Sequence, residues 1–184
     1  LVSTISTMFK DFAQISIFKP WVARQVYETL LPGGGIVVDP CVGWGGRMVA
    51  CIESEYECVG SDLNAVSIVN NLAMAKFLGN RFISYPQLSV MDAGLSVAEG
   101  DLLFTSPPYD DTERYAGLEG QCVDTTSIYE NILGNFRGIV ALNVPLRHAD
   151  EVQRIARKCG RTELDRIEMK TANFIKRDKA VRTC

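Results

Sequence analysis

Apolar residues along the chain alternate between short continuous runs and helical stripes. Residues 21–31 follow Pro20 and carry apolar side chains on one side, which predicts a helix that ends at Pro32. Residues 35–40 form a short apolar run bounded by glycine and proline, as expected of a buried strand. Residues 45–53 are predicted to form a helix that packs back against this strand.

The same alternation continues through the middle of the chain. Residues 57–62 predict a second strand, and residues 64–78 predict a helix. The apolar face predicted for this helix consists of Val66, Val69, Leu72, Ala73 and Phe77. Residues 83–91 predict a third strand interrupted by a proline, and residues 101–106 predict a fourth strand that two prolines terminate.

The last third of the chain begins with a long polar segment, residues 109–126, of a length typical of functional lids or disordered loops. A strand is predicted over residues 138–144 and a helix over residues 148–159. Residues 162–169 alternate and, with residues 174–183, predict a C-terminal antiparallel hairpin. Strands that alternate with helices indicate an α/β fold with a doubly wound, mostly parallel sheet, which binds ligands outside the carboxyl ends of its strands.

The composition supports one folded domain. The 184 residues are 47% hydrophobic, which provides a core and excludes a disordered tail. No apolar run approaches the roughly 18 residues that a membrane-spanning helix needs, and residues 1–10 lack the pattern of a signal peptide. Six cysteines without a C-x-x-C pair, and a single histidine, predict no metal site and reduced thiols in a cytoplasmic protein. The chain does not begin with Met, which leaves open whether it is a fragment.

Charge is distributed unevenly along the chain. Residues 1–136 carry 7 basic and 16 acidic side chains, a net charge of −9, whereas residues 137–184 carry 12 and 6, a net charge of +6. An acidic body with a basic C-terminal segment indicates that a polyanion would approach one edge only. A solvated basic face without a partner is the alternative that charge alone leaves open.

The first chemical motif, D-P-C-V-G-W-G-G, directly follows the first predicted strand, from Asp39 to Gly46. Glycines let the backbone turn tightly and approach a ligand, and the following helix points its N-terminus towards it. An acidic residue at the start would repel a pyrophosphate, so this turn suits a ligand with an ammonium group or several hydrogen-bond donors. Asp62 ends the next predicted strand, where a carboxylate can accept both hydroxyls of a ribose.

The second motif, Thr105-Ser-Pro-Pro-Tyr109, ends the fourth predicted strand. The prolines carry no amide hydrogens, which leaves the Pro107 carbonyl free of a ladder role and able to face a substrate. The Ser106 hydroxyl adds a second polar group, and Tyr109 offers a flat face on which a base can stack.

Together, D-P-x-x-G-x-G-G, S-D and S-P-P-Y resemble the DNA amino-methyltransferases, which transfer a methyl group from S-adenosylmethionine to cytosine N4 or adenine N6. The resemblance covers about residues 18–109 and implies a Rossmann-like methyltransferase fold. The cofactor-binding residues that it implies are Phe18, Pro20, Asp39, Pro40, Gly43, Gly45, Asp62, Asp92 and Thr105. The catalytic residues that it implies are Ser106, Pro107, Pro108 and Tyr109.

The residue types suit this chemistry. An exocyclic amine is a poor nucleophile, and two acceptors, the Ser106 hydroxyl and the Pro107 carbonyl, would favour the positive charge that develops on its nitrogen. The base would be flipped out of the duplex onto Tyr109, and no metal is needed. In the family that these motifs resemble, serine at the first position of S-P-P-Y favours cytosine slightly over adenine. Cys41 follows a proline, as the nucleophile of cytosine-carbon methylases does, but it lies in the cofactor turn and is interpreted as a packing residue.

We expect a single catalytic domain over residues 1–184, without a separate target recognition domain. DNA would bind through the basic C-terminal segment, and a specificity subunit or a homodimer is possible. Sequence specificity would come from the loop over residues 110–126, the basic C-terminal segment or a partner, or would be absent. A role in a restriction-modification system is consistent with this hypothesis. RNA, a protein glutamine amide, and a non-catalytic cofactor-binding subunit remain as alternatives.

Overall fold

The computed structural model describes residues 17–79, 82–84, 100–108 and 124–163. Five parallel strands form one sheet in the order β3-β2-β1-β4-β5. The strands are β1 (Ile36–Asp39), β2 (Glu57–Gly60), β3 (Phe82–Ser84), β4 (Leu102–Thr105) and β5 (Ile139–Leu142). The order reverses at β1 and β4, so the crevice of a doubly wound sheet opens where these two strands end.

Within the described residues, five helices accompany the strands. They are α1 (Pro20–Leu30), α2 (Gly46–Glu53), α3 (Ala65–Leu78), α4 (Thr125–Asn135) and α5 (Ala149–Lys158), and a 3₁₀ turn (Leu146–His148) precedes the last. These bounds confirm the predicted α/β alternation. The predicted antiparallel hairpin lies outside the described residues, apart from its first two positions. Within the described part of the chain, every helix is too short or too polar to cross a bilayer.

The core divides into clusters that fit a sheet covered on both faces. One cluster joins β1, β2 and β4 to α1, α2 and α3 around the fully buried Tyr27 and Met48. The Tyr27 hydroxyl donates to the Arg47 carbonyl at 3.0 Å, which fixes α1 on the first turn of α2. Two further clusters join β4 and β5 to α4 and α5.

The face of α3 that packs against the protein differs from the predicted one. Ile68, Asn71 and Ala75 are the buried residues, whereas all five residues of the predicted apolar face are exposed, Phe77 at 88%. Apolar residues occur on nearly every side of this helix, so periodicity could not select a face. Asn71 selects it instead, because its side-chain amide donates to the Gly43 carbonyl at 2.9 Å.

Helix α4 was not predicted. It begins at an N-cap, Asp124, whose carboxylate accepts from the Ser127 amide at 3.1 Å. Its buried positions, Ile128, Tyr129, Ile132 and Leu133, have helical spacing. The long polar segment that precedes the helix obscured this signal.

Candidate active site

The ends of β1 and β4 meet at a fully buried carboxylate, that of Asp39. Its Oδ1 accepts from the Thr105 hydroxyl at 2.7 Å and from the Cys41 amide at 3.2 Å. Thr105 is itself fully buried, so this bond ties the last residue of β4 to the last residue of β1. Two of the predicted cofactor residues, Asp39 and Thr105, are therefore in direct contact.

The guanidinium of Arg47, on the first turn of α2, neutralises this carboxylate. Its Nε donates to Asp39 Oδ2 at 2.7 Å, and its Nη2 donates to Asp39 Oδ1 at 3.3 Å and to the Cys41 carbonyl at 2.6 Å. The Arg47 side chain is only 6% exposed and lies over the rings of Phe18 and Phe104, 5.4 Å and 5.9 Å from their centroids. Burial opposes its charge, but the adjacent carboxylate outweighs burial and raises the pKa of Arg47.

The same arginine reaches the predicted catalytic segment. Its Nη1 donates to Ser106 Oγ at 2.8 Å. A second donor to Ser106 Oγ is the side-chain amide of Asn143, at 3.0 Å, from the residue that follows β5. The backbone amide of Asn143 donates to the Thr105 carbonyl at 2.9 Å, which holds the ends of β4 and β5 together. One buried cation thus connects the acid of the glycine turn to the serine after β4.

The glycine turn is held from its other side by Asp62. Asp62 Oδ2 accepts from the Gly43 amide at 2.8 Å, and its Oδ1 accepts from the Asn64 amide at 2.9 Å. Gly43 has a positive φ of 52°. The two loops that follow β1 and β2 therefore form one unit at the carboxyl edge of the sheet.

Two glycines of the turn allow close approach between elements. A Cβ at Gly45, whose φ is 77°, would overlap Asn71 Oδ1 and lie 2.7 Å from Met74 Cε. A Cβ at Gly46 would overlap the Phe18 carbonyl. Neither position accommodates a side chain, which explains the G-G step that opens α2.

The other predicted residues surround this cluster or lie outside the described part. Phe18 packs edge-on against Phe104 at 5.5 Å, and Pro20 is the first residue of α1. Pro40 and Pro107 are buried, and Pro108 is half-buried. The two remaining residues, Asp92 and Tyr109, lie outside the described residues, so their roles stay predictions.

Three residues of the site were not predicted: Arg47, Asn71 and Asn143. Arg47 carries a signal in the sequence, because it is the single basic residue between Arg24 and Lys76, in a strongly acidic stretch. The roles of the two asparagines depend on how separate loops meet, which periodicity does not report.

Neither a thiol nucleophile nor a metal centre is supported at this site. Burial, and then the charge of Asp39, raise the pKa of the Cys41 thiol, which disfavours the thiolate that a covalent mechanism needs. This agrees with the interpretation of Cys41 as a packing residue. Among the described residues, no group of three or more potential ligands is placed to hold a metal ion.

Comparison with known proteins identifies the fold. No family model matches the sequence, and no curated protein matches it. Ribosomal protein L11 methylase from Lactobacillus delbrueckii subsp. bulgaricus aligns with a TM-score of 0.60 and 12% identity, over 80% of this chain and 71% of that chain. TrmN from Thermus thermophilus aligns with a TM-score of 0.54 and 20% identity, over 76% and 40%.

A third similar structure is the putative RNA methyltransferase PH1948 from Pyrococcus horikoshii, with a TM-score of 0.53 and 10% identity, over 77% of this chain and 65% of that chain. The chain thus spans between 40% and 71% of these three proteins. Two of them are named for a protein and an RNA substrate. TM-scores of 0.53 to 0.60 establish a Rossmann-like methyltransferase fold, as predicted, whereas identities of 10% to 20% leave the substrate open.

Proposed function

We propose that this chain is an S-adenosylmethionine-dependent methyltransferase that acts on an exocyclic amine of a base in DNA, with cytosine N4 slightly favoured over adenine N6. The observation that carries the proposal is the contact of Arg47 with both Asp39 and Ser106. It places the segment after β4 beside the glycine turn after β1, as transfer between a cofactor and a substrate in one crevice requires.

The residues at the carboxyl edge fit S-adenosylmethionine. Asp62 accepts one hydrogen bond on each carboxylate oxygen from the chain, which leaves a lone pair on each oxygen for the two ribose hydroxyls. Gly43 lacks a Cβ and only the Cys41 carbonyl lies within 4 Å of its Cβ position, so a ligand can approach the backbone of the turn there. When bound, this cofactor supplies a sulfonium-activated methyl group.

Asp39 contributes indirectly in this proposal. Both of its oxygens already accept hydrogen bonds, and the residue is fully buried. Its carboxylate therefore orders the turn and holds Arg47, and the methionine moiety binds to the backbone of the turn. Asp39 thus contributes to cofactor binding indirectly, through the glycine turn that its carboxylate anchors.

The choice of DNA as the substrate rests on residues 105–109, whose S-P-P-Y motif resembles that of the DNA amino-methyltransferases. The fold alone also accommodates RNA and protein substrates. The test is transfer of labelled methyl groups to unmethylated DNA, followed by mass spectrometry of the nucleosides. Methylated cytosine or adenine amines are expected. Label found in RNA or in a glutamine side chain would show that this molecule, and not DNA, is the substrate. Cofactor binding without transfer would favour a non-catalytic subunit.

A matched pair of serine variants makes this assay specific to the site. Ser106→Ala should lower turnover strongly and leave the affinity for the cofactor unchanged. Ser54→Ala is the control, because the buried Ser54 hydroxyl has no hydrogen-bond partner in the described part of the chain and lies at the end of α2 away from the turn. Equal turnover in both variants would contradict the assignment of Ser106.

The position of α5 separates the basic residues of the C-terminal segment that would contact DNA from those that would not. This helix follows β5 and runs from the carboxyl edge to the amino edge of the sheet, where the guanidinium of Arg161 donates to the Gly138 carbonyl at 3.0 Å. Arg157 and Lys158 are exposed near that far end, whereas the exposed Arg147 precedes α5 at the edge that holds Ser106.

The salt dependence of DNA binding tests this placement. Arg147→Ala should reduce the slope of log affinity against log salt by about one unit, the loss of one phosphate contact. The double variant Arg157→Ala, Lys158→Ala should leave the slope unchanged. The opposite result would place the DNA at the amino edge, away from the proposed site.

A further inference from the structure

The hydrogen bonds of Ser106 determine what its hydroxyl can still do. A serine hydroxyl has two acceptor lone pairs and one hydrogen to donate. Arg47 Nη1 at 2.8 Å and Asn143 Nδ2 at 3.0 Å both donate to Ser106 Oγ. Both lone pairs are therefore used, and no residue in the described ranges accepts the hydroxyl hydrogen.

The charge of Arg47 makes the Ser106 hydroxyl a stronger hydrogen-bond donor. A hydroxyl that accepts a hydrogen bond from a guanidinium is polarised, so that it becomes a better donor and a poorer acceptor. The guanidinium is held by Asp39 and by the Cys41 carbonyl, and it lies against two aromatic rings, so it cannot turn away without breaking these contacts. Ser106 is consequently unsuited to accept a hydrogen bond from a substrate amine, which corrects the acceptor role expected for its hydroxyl from the sequence.

We infer that Ser106 donates a hydrogen bond to an acceptor atom next to the amine nitrogen, and that Arg47 and Asn143 are the positioning residues that orient it. The inference rests on the proposed function and adds a substrate requirement to it. The target must carry a ring nitrogen with a free lone pair beside its exocyclic amine. Cytosine has this atom at N3 and adenine has it at N1, so an amine flanked only by C–H groups would be a poor substrate.

The proton balance of the transfer agrees with this role. The amine nitrogen uses its lone pair to form the bond to the methyl carbon, and the electrons of the sulfur–carbon bond return to the sulfur. The nitrogen then carries the positive charge and loses one of its own hydrogens to water. Ser106 keeps its proton throughout, and its bond to the ring nitrogen orients the amine towards the methyl group.

The inference is tested with oligonucleotides in which the acceptor is replaced by C–H, 3-deazacytosine for a cytosine target or 1-deazaadenine for an adenine target. The ratio of kcat/KM for the natural base to kcat/KM for the deaza base should be larger in the wild-type protein than in Ser106→Ala. The expected additional difference is about 10-fold, the size of one hydrogen bond with its unpaired donor. The comparison between the two proteins cancels the intrinsic difference in amine reactivity.

Asn143→Asp tests the positioning role. A carboxylate at this position would accept the Ser106 hydrogen and turn the hydroxyl away from the target, so the preference for the natural base should shrink to that of Ser106→Ala. Asn143→Gln, which keeps the amide, should retain part of the preference. A role limited to stability would lower kcat/KM for both bases equally and leave their ratio unchanged.

The outcomes separate the two proposals. If the natural oligonucleotide receives no methyl group, the proposed function fails. If the natural oligonucleotide is methylated and the ratio of natural to deaza target is the same in wild type and Ser106→Ala, the proposed function stands and the donor role of Ser106 is overturned.

Discussion

The two edges of the sheet use polar side chains in different ways. At the amino edge, Asp101 accepts from the Ile36 amide at 2.9 Å, and Arg161 donates to the carbonyls of Leu133, Phe136 and Gly138. These side chains bind backbone atoms that would otherwise lack partners at the ends of strands and of α4. At the carboxyl edge, Asp39, Arg47 and Ser106 bind mainly side chains, and Arg47 joins Asp39 to Ser106.

This difference separates the side chains of the amino edge, which serve the fold, from the cluster of Asp39, Arg47 and Ser106 at the carboxyl edge. A side chain that satisfies backbone groups lowers the free energy of the fold directly. A buried ion pair gains little over apolar residues of similar volume, because both charges must be desolvated. The cluster at the carboxyl edge therefore calls for a further explanation, and the orientation of Ser106 and of the glycine turn supplies it.

The largest effect is expected for Arg47→Met. Removal of the cation leaves the Asp39 carboxylate buried without a counter-charge, and the free energy of unfolding should fall by about 3–5 kcal/mol. Urea denaturation measures this loss. The double variant Arg47→Met, Asp39→Asn should recover part of the stability but not the methyl transfer, because Ser106 keeps only the Asn143 amide as a donor and lacks the charged one. Full transfer activity in the double variant would contradict the role of Arg47.

The next effect concerns Gly45→Ala. Its positive φ and the overlap of a Cβ with Asn71 and Met74 should together cost about 2–4 kcal/mol. Gly34→Ala is the matched control at the amino edge, because its φ of 81° is similar and no atom lies within 4 Å of its Cβ position. The control should lose only about 1 kcal/mol. Equal losses in thermal denaturation would show that close packing of the turn contributes nothing.

Arg161→Ala should weaken the protein without changing its chemistry. Loss of the bonds to three carbonyls should lower the free energy of unfolding by about 1–3 kcal/mol. Turnover per folded molecule and affinity for S-adenosylmethionine should equal those of the wild type, in contrast to Arg47→Met. A lower turnover of the folded fraction would break the distinction between the two edges.

The smallest effect concerns Asp124, the N-cap of α4. Hydrogen bonds from the Ser127 side chain and amide hold the pKa of Asp124 below its usual 3.8. A depressed pKa means that the carboxylate stabilises the fold fully above pH 3.8 and loses this contribution as the pH falls through the folded value. The difference in stability between wild type and Asp124→Asn should narrow over that interval. A difference independent of pH would contradict the ionised cap.

The sequence predicted the strands and helices that glycine and proline delimit. It also predicted the acidic residues at the ends of the strands. It could not orient α3, because Val69 and Phe77 are as apolar as the buried Ile68, and the contact of Asn71 with the glycine turn decides between the faces. It also missed the network around Arg47. A lone arginine after a glycine turn is normally solvated, and the network joins it to residues that follow β4 and β5, which are distant in sequence.

Crystallography of the protein with S-adenosylhomocysteine tests the central claim most directly. The account predicts the ribose hydroxyls on the Asp62 carboxylate, the remainder of the ligand along Gly43 and Gly45, and the Arg47 guanidinium still between Asp39 and Ser106. A ligand bound away from this turn, or an Arg47 side chain released from Ser106 in the complex, would contradict it.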